Sequence, residues 1–402
     1  MPLPIEVDMS HYLARLGGEP HVFHCHHYNC FLQQSIINTS AGVFDARTLL
    51  IQAATDVVAA QLKTLKADAA MAQEIFSVLG FGKLELALTK TSGTATVKAS
   101  HYALAWLSKF GKVKAPVCFF PAGFVAAAAG AVHGGNWQAV ETECLASGGS
   151  ACRFEVKPGG KAPGTSPGMG ALADFGPRPP AATKTSVDDM AIIQACAGLP
   201  LAGDKEGNVH AFGVSLTRHY SNYYNLISYK FDHLMASMGG EAAAIAARIL
   251  LVEAGHVCAF HTFGGIMESA EWEALIKPQC NTLEDWAYGM VAVVNALGWG
   301  RWSIAALEPA SRIEMVIDGS YESNGYIAAF GKSEIPRCHL ATGATAGLMN
   351  LLYNADITKR PQLTPEFYDQ TFRSPGLFVA REVECRTMGA KACRVVAEKL
   401  GA

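Results

Sequence analysis

Residues 141–152 (ETECLASGGSAC) and residues 382–393 (EVECRTMGAKAC) carry one spacing twice: Glu, two residues, Cys, seven residues, Cys. Working outward, FGKVKAPVC (110–118) matches FGKSEIPRC (330–338), and VLGFGK (78–83) matches ALGWGR (296–301). The offsets between halves are 218, 220 and 241, always in the same order. The drift reflects loop insertions, the largest being 21 residues between Cys338 and Glu382. Three collinear matches argue for internal duplication.

The 402 residues suit two domains, and half of them are hydrophobic. Residues 158–184 (PGGKAPGTSPGMGALADFGPRPPAATK) are rich in Pro, Gly and Ala and read as a linker. The expected boundaries are therefore 1–157 and 185–402. A net charge of −3 without a basic run argues against nucleic acid as partner. The N-terminus lacks a signal-peptide pattern. The apolar stretch 119–132 is too short to span a bilayer and reads as a buried helix. A cytoplasmic protein is expected, whose eleven cysteines are ligands, nucleophiles or core rather than disulfides.

Residues 46–78 have apolar residues at helical spacing, and 83–90 with 94–100 read as a hairpin. Helix 119–132 and strand 151–157 complete the first half. The second half repeats the order: helices 241–253 and 283–297, strands RWSIAALE and RIEMVIDG, helix 343–354 and strand ACRVVAEK. The expected fold is α+β, two duplicated domains, each an antiparallel sheet with helices on one face.

Cys118 lies upstream of Glu141, Cys144 and Cys152, and Cys338 lies upstream of Glu382, Cys385 and Cys393. Three thiolates and a carboxylate suit a closed tetrahedral zinc site, giving about two zinc ions per chain. Gly148, Gly149 and Gly389 allow the tight turn that brings paired cysteines to one ion. Glu143 and Glu384 are alternative carboxylates. A closed site leaves no open coordination position, so its expected role is structural.

Pro-x-Cys, Cys-x4-Gly opening a small-residue helix, and Glu-x-x-Cys-x7-Cys resemble the 4-vinyl reductase domain. That family includes the ligand-sensing module of phenol-responsive transcription activators. The resemblance implies a zinc site on these same eight residues and an often dimeric α+β fold. It also implies a buried pocket for a small hydrophobic or aromatic molecule. The two halves would form a pseudo-dimer within one chain, open to further homo-oligomerisation. No ATPase or DNA-binding motif accompanies them, so a sensor or carrier is expected.

Residues 21–30 (HVFHCHHYNC) hold the densest set of potential ligands and acid–base groups. His24, His26, His27 and Cys30 are the candidates for catalysis, with a second metal such as iron, in an alternative reading as a metal-dependent enzyme. The counterpart in the second half, 215–225, keeps only His219 and Tyr220. His256, Cys258 and His261 form a second cluster expected to face the first across the halves. Trp286, Trp299, Trp302 and Tyr288 are candidate aromatic walls, with Phe81 in the place of Trp299.

Overall fold

The computed structural model describes residues 3–170 and 175–401. Three short strands open the chain: β1 (Glu6–Asp8), β2 (Leu13–Leu16) and β3 (Glu19–Cys25). Helices α1 (His26–Thr39), α2 (Ala46–Leu65) and α3 (Ala69–Val78) follow. Asp45 caps α2 by accepting from the amides of Arg47 and Thr48. Lys66, left-handed at φ 51°, ends α2, and Asp68 starts α3. The single expected helix 46–78 is therefore two.

The hairpin β4 (Leu84–Leu88) and β5 (Gly93–Val97) leads to α4 (His101–Phe110) and α5 (Phe119–His133). Strands β6 (Trp137–Glu143) and β7 (Cys152–Pro158) close the first half. The linker is drawn onto the fold by polar contacts. The Gly164 amide donates to Asp56 at 2.7 Å, Asn222 donates to the Gly168 carbonyl at 2.8 Å, and the Thr183 amide donates to Tyr288 at 3.0 Å. Residues 171–174 of that linker lie outside the described residues.

The second half opens with α6 (Asp189–Ala197), β8 (Val209–Ala211) and β9 (Val214–Tyr220). Helix α7 (Ser221–Cys258) then runs through a kink at Gly240, whose φ is 78°. A π-helical turn at Ala259–Phe263 precedes α8 (Gly264–Glu268), α9 (Ala270–Leu275) and α10 (Leu283–Ala296). Strands β10 (Arg301–Glu308) and β11 (Arg312–Asp318), helices α11 (Tyr321–Phe330), α12 (His339–Met349) and α13 (Pro365–Phe372), and strands β12 (Phe378–Glu384) and β13 (Cys393–Lys399) complete it. By length and composition the helical run Ser221–Glu268 could cross a membrane, a test the sequence reading did not anticipate. Here half of its most apolar window is buried inside the fold, and it packs on α12, α1 and α2.

Two four-stranded antiparallel sheets share one topology, β4-β5-β7-β6 and β10-β11-β13-β12. Helices α5 and α12 pack on them in matching places. This is the α+β architecture expected. Sequence periodicity did not indicate the third sheet, β1-β2-β3-β9-β8, which takes strands from both halves. Its strands β3 and β9 pair antiparallel, with Phe23 opposite Arg218. Each strand ends at the cap of the next helix, so Cys25 corresponds to Tyr220 and His24 to His219.

The glycine after each upstream cysteine has a steric cause. A Cβ on Gly123 of α5 would stand 2.4 Å from the Ile51 carbonyl oxygen of α2. A Cβ on Gly343 of α12 would stand 2.0 Å from the Val252 carbonyl oxygen of α7. The two helix pairs thus cross backbone to backbone at corresponding points. Gly123→Ala and Gly343→Ala should each destabilise the protein by roughly 1–3 kcal/mol. Denaturant midpoints equal to that of the parent would refute this close-approach role.

Burial also leaves neutral imidazoles inside the fold. It pushes His21 and His101 down to about 3, and His339 to about 4. An unfolded histidine takes its proton near pH 6.5, so below that pH the unfolded chain binds protons the folded chain refuses. Each such histidine removes up to about 1.4 kcal/mol per pH unit as the pH falls from about 6.5 towards its folded value. Unfolding free energy should therefore drop steeply between pH 6 and pH 4. A His101→Gln variant should show a slope shallower by close to one proton, and an unchanged slope would contradict the assignment.

Candidate functional site

A bulge in β6 between Glu141 and Glu143 turns the two carboxylates apart. Glu141 points inward and accepts from the Cys118 amide at 2.9 Å through Oε2. Its Oε1 is buried and has no protein partner. Beyond Cys144 the chain makes one 3-10 turn, passes Gly148 at φ 99°, and bonds the Gly149 amide to the Cys144 carbonyl at 2.9 Å. That loop returns Cys152 beside Cys144, with sulfurs 3.9 Å apart. Cys118, at the start of α5, brings its sulfur to 3.4 Å from that of Cys152.

The second half repeats this arrangement. Sulfurs are separated by 3.5 Å for Cys338 and Cys393 and by 3.9 Å for Cys393 and Cys385. Glu382 accepts from the Cys338 amide at 2.8 Å, and its Oε1 is likewise buried without a partner. In each set the four donor atoms lie within 4.8 Å of one another. Thiolates at zinc–sulfur bond length around a tetrahedral ion stand about 3.8 Å apart, so these spacings fit a metal. The orphaned carboxylate oxygens supply the fourth donor. Burial first, then the neighbouring Cys144 thiolate, raises Glu141 to about 8, and the same causes raise Glu382 to about 9. A cation would offset both.

The alternative carboxylates do other work. Glu143 pairs with Arg153 at 3.0 Å and accepts from the Ser150 amide at 2.6 Å, while Glu384 pairs with Arg394 at 3.3 Å. Both face away from the sulfurs.

The 21–30 segment divides at the strand-to-helix junction, so His24, His26, His27 and Cys30 do not converge. His24 is buried between the rings of Tyr28 (4.5 Å) and Trp299 (4.6 Å), with Nε2 3.1 Å from the Tyr321 hydroxyl. Its counterpart His219 packs on Phe81 (4.9 Å) and Tyr223 (5.0 Å), with Nε2 2.8 Å from the Tyr102 hydroxyl. Tyr224 lies beside both imidazoles, 4.7 and 4.6 Å from them. The correspondence extends past His219 and Tyr220, because Tyr28 matches Tyr223.

His26 and His27 face another way. Their rings are 3.8 Å apart, and His27 stacks on His261 at 4.3 Å beside an open cleft of about 720 Å³ that also contains Lys109 and Glu268. Burial lowers His26 to about 4 and His261 to about 3. Burial pushes the Cys30 thiol up to about 12, and it donates to the His27 carbonyl at 3.5 Å. The Thr262 hydroxyl bridges Cys25 at 2.6 Å and Cys258 at 3.4 Å. Thus Cys258 and His261 face the first cluster as expected, whereas His256 sits with Glu253, 3.6 Å away. Among the described residues, only the two Cys/Glu sets bring three or more donors within 4.8 Å.

Of the aromatic candidates, Trp299 alone reaches the seam, donating to the Phe23 carbonyl at 2.9 Å. Trp286 packs on Trp272 at 5.2 Å, and Trp302 lies buried in β10. Sequence reasoning missed Tyr102, Tyr321, Lys109 and Thr262, because isolated residues far apart in the chain carry no spacing signal.

Known proteins offer two matches. The phenol-responsive sensory domain of the transcription activator PoxR, solved with phenol, is similar over 48% of this chain and 81% of its own, at 13% identity and TM-score 0.35. No curated protein sequence matches the chain. The family model of the 4-vinyl reductase (V-4-R) domain matches residues 103–158, a span that holds Cys118, Glu141, Cys144 and Cys152. The first Cys/Glu set therefore lies within a 4-vinyl reductase domain.

Proposed function

We propose that this chain is a zinc-stapled binding protein for a small apolar or aromatic molecule, acting as a sensor or carrier. One observation carries the reading. An apolar cavity of about 350 Å³ lies on the sheet shared by both halves, lined among others by Ile5, Leu13, Phe23, Ile193, Leu201 and Leu297. Its size and lining suit a small ligand. The match to the 4-vinyl reductase domain supports the reading through the pocket that the family resemblance implies.

The zinc assignment rests on donor chemistry. Soft sulfur selects zinc over magnesium or calcium, and four protein donors close the site to substrate. In this reading Cys118, Glu141, Cys144 and Cys152 hold one ion, and Cys338, Glu382, Cys385 and Cys393 hold the other. Each ion would tie a β-hairpin to the start of α5 or α12. The two halves act as a pseudo-dimer joined through β3 and β9. A reducing, cytoplasmic setting keeps the thiols available as ligands.

A second reading, a metal-dependent enzyme, has one observation in its favour: the His26, His27 and His261 rings beside the wide cleft. Iron or copper in addition to zinc in purified protein would move the chemistry there.

Elemental analysis should give about two zinc ions per chain. Cys144→Ser and Cys385→Ser should each bring this towards one and lower the melting temperature. Unchanged zinc in both variants would sink the ligand assignment. A neutral apolar probe, 1-decanol, should bind saturably in calorimetric titration. Ala14→Phe, which projects a ring into the cavity, should abolish that binding while keeping the zinc and the circular dichroism spectrum. Absence of saturable binding, or binding unaffected by Ala14→Phe, would overturn the assigned cavity.

A further inference from the structure

The same cavity contains one cation. Arg218 of β9 lies half-buried at its inner side, with the guanidinium 4.4 Å above the Phe23 ring. No acidic residue lines the cavity. Among the described residues, the Arg218 guanidinium has no ion pair and no hydrogen bond to protein. Burial lowers Arg218 to about 10, with no opposing acid to restore it. A partly desolvated cation with five unspent donors is costly unless something completes it.

The other polar groups in the lining are already committed. His21 is bonded on one ring nitrogen to the Arg218 carbonyl at 3.2 Å and on the other to Gln61 at 3.0 Å. Asn295 uses both ends of its amide on the backbone of Trp302. Tyr12 accepts from Arg178 at 3.3 Å. Arg218 is thus the polar group free to orient a ligand, and everything around it is apolar. Val7 and Met9 at the mouth are 60% and 41% exposed, so the apolar surface continues outward.

We infer that the cavity takes an apolar monocarboxylic acid, with its carboxylate on the Arg218 guanidinium and its hydrocarbon body along Leu13, Phe23, Ile193 and Leu297. The planar fork of arginine matches a carboxylate two donors at a time. The inference rests on the binding function proposed above and adds the chemical class of the ligand.

Parallel titrations with decanoate and with 1-decanol at pH 7.5 separate the two ideas. Decanoate should bind at least tenfold more tightly than 1-decanol. Arg218→Met should cost decanoate about ten- to a hundredfold in affinity and leave 1-decanol unchanged, and Arg218→Lys should retain part of the preference. Arg218→Met should also melt no lower than the parent, because it removes an uncompensated buried charge. Equal decanoate binding by parent and Arg218→Met would overturn the inference. Binding of 1-decanol without any preference for decanoate would overturn it while sparing the binding function. Failure of both probes would overturn both. If Arg218→Met unfolds, Arg218 is a structural group and the inference fails.

Discussion

Pairing β3 against β9 sets Phe23 opposite Arg218 and arranges the other residues of the ladder in corresponding pairs about that centre. His21 faces Tyr220 as Leu216 faces Cys25, and Val22 faces His219 as Thr217 faces His24. Each strand runs without a loop into the helix that follows, α1 or α7. Fixing the ladder therefore fixes where both helices leave it. Unpaired, each strand would present free backbone donors and acceptors at an open edge. Paired, the two strands join halves that otherwise meet through side chains.

From that centre the rest follows by close contact. Helices α2 and α7 each accept a small-residue helix against their backbones, at Gly123 and Gly343. That approach places Cys118 and Cys338, each at the cap of its helix, over the hairpins that carry the other donors. A bulge then turns Glu141 and Glu382 inward and leaves Glu143 and Glu384 to surface arginines. The proposed metal sets are thus outcomes of helix packing as much as of the cysteine spacing.

This also explains what the sequence disclosed. The two metal-type sets were legible because their donors are close in sequence and recur, and the cysteine-to-glycine spacing showed even without its steric reason. The hairpins were legible because alternation persists over five to eight residues. The shared sheet was not: β1, β2 and β8 are three or four residues long, and β3 and β9 are buried on both faces, so neither alternates. The 21–30 segment misled for a related reason. Its histidines look like one cluster in the sequence, but a strand ends at Cys25 and a helix begins at His26, so the imidazoles diverge.

The centre of the ladder shows what fusing two halves into one chain makes available. In a symmetric dimer the axial position would pair with itself. Two arginines there would repel across the strands, and two phenylalanines would leave the cavity without a charge. A duplicated chain is free of that restriction: Phe23 and Arg218 occupy corresponding places and face each other, ring under guanidinium. The result is a single cation beside an apolar wall, a combination suited to a ligand with one charged end. His24 and His219 match one another, whereas Cys25 and Tyr220, His27 and Asn222, and Phe23 and Arg218 do not. Matched positions hold the fold together, so the mismatched ones are where selection on a ligand had room to act.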